Sequence, residues 1–474
     1  MEYEPVIGLE VHAQLLTQSK LFCSCSTHFG GSPNSNVCPV CLGLPGSLPV
    51  LNARAVEMAV SAALALGCSI RQKSIFARKN YFYPDLPKGY QISQYEEPFS
   101  DDGHLEIEVD GERRRVGITR VHMEEDAGKN VHGVGGDSLV DLNRAGTPLI
   151  EIVGAPDLRS SAEAAAYLRA LRDILMFVGV NDGNLEEGSF RCDANVSIRP
   201  RGSTQFGTRC ELKNINSFRF VQRAIDVEIA RQTAILDAGG KVTQETRSFD
   251  PDTGQTKTLR SKEDAHDYRY FPEPDLPPLR LEASFIEKTR SSLPELPVAA
   301  RARLVEAGIP AATAQTIAQH PGYLKFFDAL VQATKSPVRA ANFFANEVLR
   351  GAKVHGLDAT FSVNSAQVAE LLNLVESGEI SGKQAKDVYA AIEGTDKAPS
   401  AIVEERGMRV VSDEGALRAV CEAVVQKNPA QAAGYRSGKK GLLGFFVGQV
   451  MKETKGSGNP KLVSELLEQI LGAS

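Results

Sequence analysis

At 474 residues the chain is too long to enclose a single hydrophobic core, so two to four domains are expected. Its 42% hydrophobic and 24% charged residues suit a water-soluble globular protein, and a net charge of −6 argues against general nucleic-acid binding, so any basic patch for RNA has to be local. The apolar runs fall far short of a bilayer span, and the start, Met1-Glu2-Tyr3-Glu4-Pro5, is acidic and lacks the apolar stretch of a secretion signal, so the expectation is a cytoplasmic protein with no membrane partner.

The first predicted strand covers Gly8 to Leu15. Side chains alternate faces along a strand, which puts Leu9, Val11, Ala13 and Leu15 on one side and Gly8, Glu10, His12 and Gln14 on the other. Next come Cys23-Ser24-Cys25 and Cys38-Pro39-Val40-Cys41, a C-x-C and a C-x-x-C with twelve residues between them. In a long chain without a secretion signal this spacing reads as a structural zinc site closed by four thiolates, against the plainer alternative of four buried free cysteines. His28 inside the loop is a bystander, and Cys68, Cys192, Cys210 and Cys421 read as small buried hydrophobes.

The segment Arg120 to Asp126 ends in three consecutive carboxylates, Glu124, Glu125 and Asp126. Clustered carboxylates repel unless a cation sits among them. Gly133-Val134-Gly135-Gly136 reads as a flexible loop. Two more alternating runs follow. Arg191, Asp193, Asn195, Ser197 and Arg199 oppose Cys192, Ala194, Val196 and Ile198; Arg209, Glu211 and Lys213 oppose Cys210 and Leu212. A half-solvated antiparallel sheet explains such alternation in general. The polar faces here, however, carry Glu10, His12, Asp193, Asn195 and Glu211, which are oxygen and imidazole donors suited to Mg²⁺ or Mn²⁺ and, through the cation, to nucleotide phosphates.

Proline-rich Leu276 to Pro297 reads as a boundary. Beyond it Leu304, Phe326, Phe327, Leu330, Val331, Phe343, Phe344 and Val348, then Val368, Leu371, Leu372 and Val375, recur at helical spacing. A polar break near Glu404-Glu405-Arg406-Gly407 precedes a last helical unit ending in Leu462–Leu471. Within it, from Lys427 to Lys461, the cations Lys427, Arg436, Lys439, Lys440, Lys452, Lys455 and Lys461 stand against a single acid, Glu453. That excess is a phosphate-binding footprint, or else a solvated charged helix. Gly434 to Lys440 falls one residue short of a phosphate loop, has Lys where Ser or Thr is required, and reads as a basic turn.

Long motifs in the chain resemble the GatB family, the B subunits of tRNA-dependent amidotransferases. They are Val6–Leu15, Cys38–Gly46, Arg78–Gln91, His122–Lys129, Asp141–Leu149, Glu187–Ser197 and Glu211–Phe218, with a YqeY-type tail at Gly448–Gly456 and Asn459-Pro460. The resemblance covers nearly the whole chain. It implies an α+β multidomain fold: a cradle of mixed or antiparallel sheet over residues 1–292 holding the four-cysteine motif, an all-α domain over 293–406, and a tRNA-binding tail over 407–474. It implies ATP-dependent phosphorylation of the side-chain carboxylate of Glu-tRNA(Gln) or Asp-tRNA(Asn), followed by amidation with ammonia from glutamine hydrolysed in an A subunit (GatA), with a small C subunit (GatC) bracing the two. By the same likeness Glu10, His12, Glu124, Glu125 and Asp193 are expected to bind Mg²⁺. Lys79 and Asn195 are expected to contact ATP, with Lys79 near the transition state, and Glu211 and Lys213 to support the chemistry. Some members lack the full cysteine quartet; Cys23, Cys25, Cys38 and Cys41 are all present here, so zinc is expected.

Two other classes fit parts of the pattern. A non-catalytic RNA-binding scaffold needs the cysteines and the basic tail but has no use for Glu10 and His12 beside Asp193. A metal-dependent nuclease uses acidic clusters but not the long motifs. Whether Glu-tRNA(Gln), Asp-tRNA(Asn) or both is the substrate is left open by the sequence.

Overall fold

The computed structural model describes residues 2–132, 138–261, 268–334, 336–409, 414–454 and 458–472. The chain divides into two compact units, residues 1–299 and 300–474.

The first unit is built on a nine-stranded sheet. Its strands are β1 (Tyr3–Gln14), β2 (Ser69–Ile70), β3 (Ser100–Val109), β4 (Glu112–Glu125), β5 (Pro148–Gly154), β6 (Phe190–Pro200), β7 (Cys210–Lys213), β8 (Glu245–Asp250) and β9 (Gln255–Ser261). Their spatial order is β9-β8-β7-β6-β1-β5-β4-β3-β2. Adjacent strands run antiparallel except β7 with β8. The first predicted strand therefore lies in the middle of the sheet, between β6 and β5.

Strand alternation becomes a two-sided sheet through this pairing. Val11 lies opposite Cys192 on one side and Ile152 on the other, and Ile152 opposite Val121. Val11, Ile152 and Val121 are wholly buried in one core. Burying each such side chain stabilises the unit by about 1.5–3 kcal/mol. Helices α1 (Ala53–Ala65), α2 (Ser161–Val178) and α3 (Phe218–Asp237) contribute to the same core. Each starts at a side-chain cap: Asn52 accepts from the Arg54 and Ala55 amides, Ser160 from Glu163, Ser217 from Phe220. Gly179, at φ +78°, ends α2 in the left-handed conformation that a side chain disfavours.

The other face of the central strands carries the polar residues. A small ribbon, in which Ala77–Asn80 pairs with Tyr90–Ser93 and with Phe271–Pro272, lies beside it.

The second unit is helical, as its 3.6-residue periodicity predicts. Leu304, Phe327, Leu330, Phe344, Val348, Val368, Leu371 and Leu372 are buried. Phe326 stacks obliquely on Phe361 and Phe344, with ring centres 4.3 and 5.4 Å apart. One short hairpin, Lys353–His355 with Asp358–Thr360, interrupts the helices around Gly356 at φ +58°. Residues 417–471 gather an apolar cluster of their own that includes Leu417, Phe446, Val450 and Leu467.

Candidate functional site

The antiparallel register lines up one polar row across four strands: Arg191 on β6, His12 on β1, Glu151 on β5 and His122 on β4. Next to it Asp193 lies opposite Glu10, and Asn195 lies opposite Glu211. Single strands suggest these faces; pairing turns them into a surface. A cavity of about 370 Å³ opens on it, with Lys79, Ser93, Gln94, Tyr268 and Tyr270 among its other walls. Glu10, His12, Lys79, Asp193, Asn195, Glu211 and Lys213 all line this cavity.

His12 and Glu151 on its wall group with Glu124, which is buried and does not line the cavity, each of the three offering a ligand atom within 4.8 Å of the others. His12 Nε2 lies 3.6 Å from Glu124 Oε1 and 3.4 Å from Glu151 Oε2. His122 Nε2 lies 3.4 Å from Glu151 and 3.9 Å from Glu124, and the Ser93 hydroxyl donates to Glu124 at 3.1 Å. Two carboxylates and an imidazole are the donor set of a hard divalent cation. Burial works against a charged His12, yet the hydrogen bond and charge of Glu151, with Glu124, raise its pKa above the ordinary histidine value. Burial also pushes the Glu10 carboxyl up, reinforced by Glu151, Glu211 and Asp193. Anionic charge is thus concentrated where a cation would relieve it.

Two lysines face the same space. Lys213 Nζ bonds Asp193 Oδ2 at 2.5 Å and Glu211 Oε1 at 3.1 Å. Lys79 Nζ sits 5.1 Å from the centre of the Tyr268 ring and 6.0 Å from that of Tyr81. Burial opposes the charge of both; nearby carboxylates, Glu124 and Glu151 for Lys79 and Asp193 and Glu211 for Lys213, nevertheless hold them above the ordinary lysine range. Both are cations at neutral pH, suited to phosphate oxygens. Asn195 donates to Glu10 at 3.3 Å, and Thr246 donates to Glu211 at 2.7 Å.

The three consecutive carboxylates separate. Glu124 joins His12, whereas Glu125 bonds Lys88 and accepts from the Ile92 amide at 2.9 Å. Glu125 is not among the residues lining the cavity; it borders a smaller one of about 60 Å³ beside Cys23 and Cys41. Asp126 is bonded by Gln14 at 2.7 Å and by Arg191 at 3.0 Å, with Arg144 at 3.6 Å. Burial raises its pKa and these cations more than offset that, leaving it below the usual carboxylate range.

The four clustered cysteines converge. Cys23, Cys25, Cys38 and Cys41 are free thiols whose sulfurs lie within 4.8 Å of one another, with Cys41 Sγ 3.4 Å from Cys23 and 3.7 Å from Cys38. A tetrahedral zinc with bonds of about 2.3 Å requires sulfurs about 3.8 Å apart, so the donor set fits zinc. Lys20, with no solvent exposure, donates to Cys41 Sγ at 3.4 Å and to the carbonyls of Asn36 at 2.7 Å and Leu142 at 3.3 Å. It supplies positive charge beside thiolates.

In the tail Lys427, Arg436, Lys439, Lys440, Lys452 and Lys461 are all exposed. Lys427 pairs with Glu453 at 3.2 Å, Arg436 donates to the Leu471 carbonyl, and Lys440 lies over the Tyr435 ring. Lys455 lies outside the described residues, as does Gly133-Val134-Gly135-Gly136. Gly434, Tyr435 and Arg436 close the helix Pro429–Arg436, so no strand leads into this basic turn.

Sequence reasoning passed over Glu151, His122, Lys88 and Lys20. Glu151 left one signal, a lone carboxylate in the otherwise apolar run Leu149 to Val153. Lys88 left only its place in the Arg78–Gln91 motif and Lys20 left none, because an isolated lysine in a loop reads as solvated.

A family model described as the GatB/GatE catalytic domain matches residues 5–287, and one described as the GatB domain matches residues 325–471. Similar proteins that span the full length are named as B subunits of aspartyl/glutamyl-tRNA(Asn/Gln) amidotransferase. That of Anaeromyxobacter sp. (strain Fw109-5) is 56% identical over 478 residues, covering 99% of each chain. That of Geobacter sp. (strain M21) is 56% identical over 474 residues, 98% of this chain and 99% of the relative. That of Myxococcus xanthus (strain DK1622) is 54% identical over 474 residues, 99% of each.

Proposed function

The chain belongs to the GatB family, the B subunits of aspartyl/glutamyl-tRNA(Asn/Gln) amidotransferases, and on that footing we propose that its sheet-borne cavity phosphorylates the side-chain carboxylate of Glu-tRNA(Gln) or Asp-tRNA(Asn). The subunit serves an ATP-using ligase of translation that forms Gln-tRNA(Gln) or Asn-tRNA(Asn). A free carboxylate is a poor acyl donor, since ammonia would have to expel oxide. Transfer of the γ-phosphoryl group provides phosphate as leaving group, and ammonia then takes its place on the acyl carbon.

The observation that carries this reading is the convergence of His12, Glu151, Lys79 and Lys213 around one cavity, with the buried Glu124 carboxylate grouped behind His12 and Glu151. His12, Glu124 and Glu151 are the residues that would hold Mg²⁺, with Glu10 and Asp193 beside them. The ion would supply charge neutralisation at the phosphoryl oxygens. Lys79 would neutralise the transferring phosphoryl group; Lys213 bonds Asp193, and Asn195, which donates to Glu10, would add an amide contact for ATP. A scaffold that only binds RNA has no use for this buried group of carboxylates and imidazoles.

The ammonia is expected from an A subunit and bracing from a C subunit. Residues 407–474, as a third part after 1–292 and 293–406, are the proposed tRNA-binding tail, supported by their own apolar cluster and exposed cations.

The test is to assemble the chain with its A and C partners and supply Glu-tRNA(Gln), labelled ATP and glutamine. Phosphate release requiring both tRNA and Mg²⁺, with Gln-tRNA as product, is expected. Equal release without tRNA would remove the assignment. The tail makes a separate prediction. Replacing Lys439, Lys440 and Lys452 by Gln should raise KM for aminoacyl-tRNA and reduce the slope of log affinity against log salt by about 2. Basal glutaminase should stay unchanged, and an unaltered slope would count against the tail as the RNA contact.

A further inference from the structure

We infer that the cysteine site positions Glu124, one carboxylate of the proposed cation site, through the ion pair of Lys88 and Glu125. This rests on the cation site proposed above. The path is short. The helical turn Pro39–Leu42, which carries Cys41 and follows Cys38, ends at Gly43 with φ +64°. A methyl group on Gly43 would stand 2.5 Å from Lys88 Cγ, so the knuckle backbone rests directly on the Lys88 stem. The Lys88 ammonium bonds Glu125, and the two side chains are only 9% and 5% exposed. Glu125 is fixed further by the Ile92 amide at 2.9 Å, and its carbonyl accepts from Gln91 Nε2 at 2.6 Å.

Glu125 is the neighbour of Glu124, and successive residues of a strand point to opposite faces. Clamping Glu125 on one face therefore sets the height and direction of Glu124 on the other, where it meets His12 at 3.6 Å. A second contact leads the same way. Lys20, which bonds Cys41, meets Glu125 over Gly146: a methyl there would lie 3.4 Å from Lys20 Cδ and 3.9 Å from Glu125 Oε2. The cysteine site and Glu125 thus border one small cavity, lined by Cys23, Cys41, Lys88 and Glu125 among others. Lys88 and Glu125 act as positioning residues; neither lines the larger cavity.

Outer partners that orient metal ligands typically contribute about tenfold to a hundredfold in metal affinity. The experiment measures Mn²⁺ binding to the full-length chain by electron paramagnetic resonance, with zinc content and thermal unfolding as controls. Wild type should bind Mn²⁺ and Glu151→Gln should not. Lys88→Met, which keeps length and loses charge, should weaken Mn²⁺ binding about tenfold or more while retaining zinc, and Lys88→Arg should restore most of it. Zinc removal from the wild type should produce the same weakening. If Lys88→Met does not fold, Glu125→Gln carries the comparison. Unchanged Mn²⁺ affinity in these variants, whatever happens to amidation, overturns the inference. Absence of Mn²⁺ binding in the wild type overturns the cation site itself and this inference with it.

Discussion

Glu151→Gln is expected to lower tRNA-dependent phosphate release on the order of a hundredfold or more. Glu151 stands in register between His12 and His122, each with an imidazole nitrogen 3.4 Å from its carboxylate. Burial raises its pKa, but the charge of His122 and hydrogen bonds from both imidazoles bring it well below the usual carboxylate range. It is therefore an anion across the working pH range, and the amide removes that charge while nearly keeping the volume. Packing should survive, since the core face of β5 is formed by Ile150 and Ile152, both fully buried. Glu124→Gln and His12→Ala should behave alike. Glu125→Gln tests the expectation that Glu125 binds Mg²⁺ as Glu124 does. With Glu125 on the far side of β4, its loss should be nearer tenfold, acting through Glu124. The measurement is release of labelled phosphate with Glu-tRNA(Gln), alongside unaltered basal glutamine hydrolysis. Near wild-type release by Glu151→Gln would end the kinase assignment and return the polar row to a structural role.

Cys38→Ser should drop zinc from about one per chain toward zero and destabilise the first unit by several kcal/mol. The size follows from Lys20. Its ammonium is fully buried, and Cys41 is its anionic partner beside two backbone carbonyls. The Cys23 thiol's hydrogen bond and Lys20 pull Cys41 below the ordinary thiol range, against burial. With one ligand lost, the remaining thiolates reprotonate, and Lys20 keeps its two carbonyls but loses its anionic partner, and breaking a buried pair in this way typically costs about 3–5 kcal/mol. A lowered thermal midpoint of the first unit, matched by chelator-treated wild type, is the expected result. Metal analysis finding no zinc in fresh wild type, or an unchanged midpoint in the variant, would refute it.

Much of this protein was legible along the chain. Period-two runs gave three of the sheet's nine strands, β1, β6 and β7, with the two faces of each, because a side chain's face depends only on its own backbone. Cysteine spacing gave the knuckle, since four thiolates from two short turns can meet locally around one ion. Helical periodicity gave the second unit, where Leu304, Phe327, Leu330 and Phe344 are buried as spaced. The long family motifs singled out Glu10, His12, Lys79, Asp193, Asn195, Glu211 and Lys213, all of which line the cavity. Tertiary structure alone decided which groups meet. Glu151 reaches His12 only through the antiparallel register of β1 with β5, a pairing between residues far apart in sequence. Likewise only the end of β4 decides that Glu124 turns to His12 while Glu125 turns to Lys88, because three adjacent carboxylates are chemically alike until a backbone assigns them faces. Lys20 and Lys88 became partners of the cysteine site and of Glu125 only when folding removed them from water, and charge in a buried place is strong where the same charge in solvent is weak.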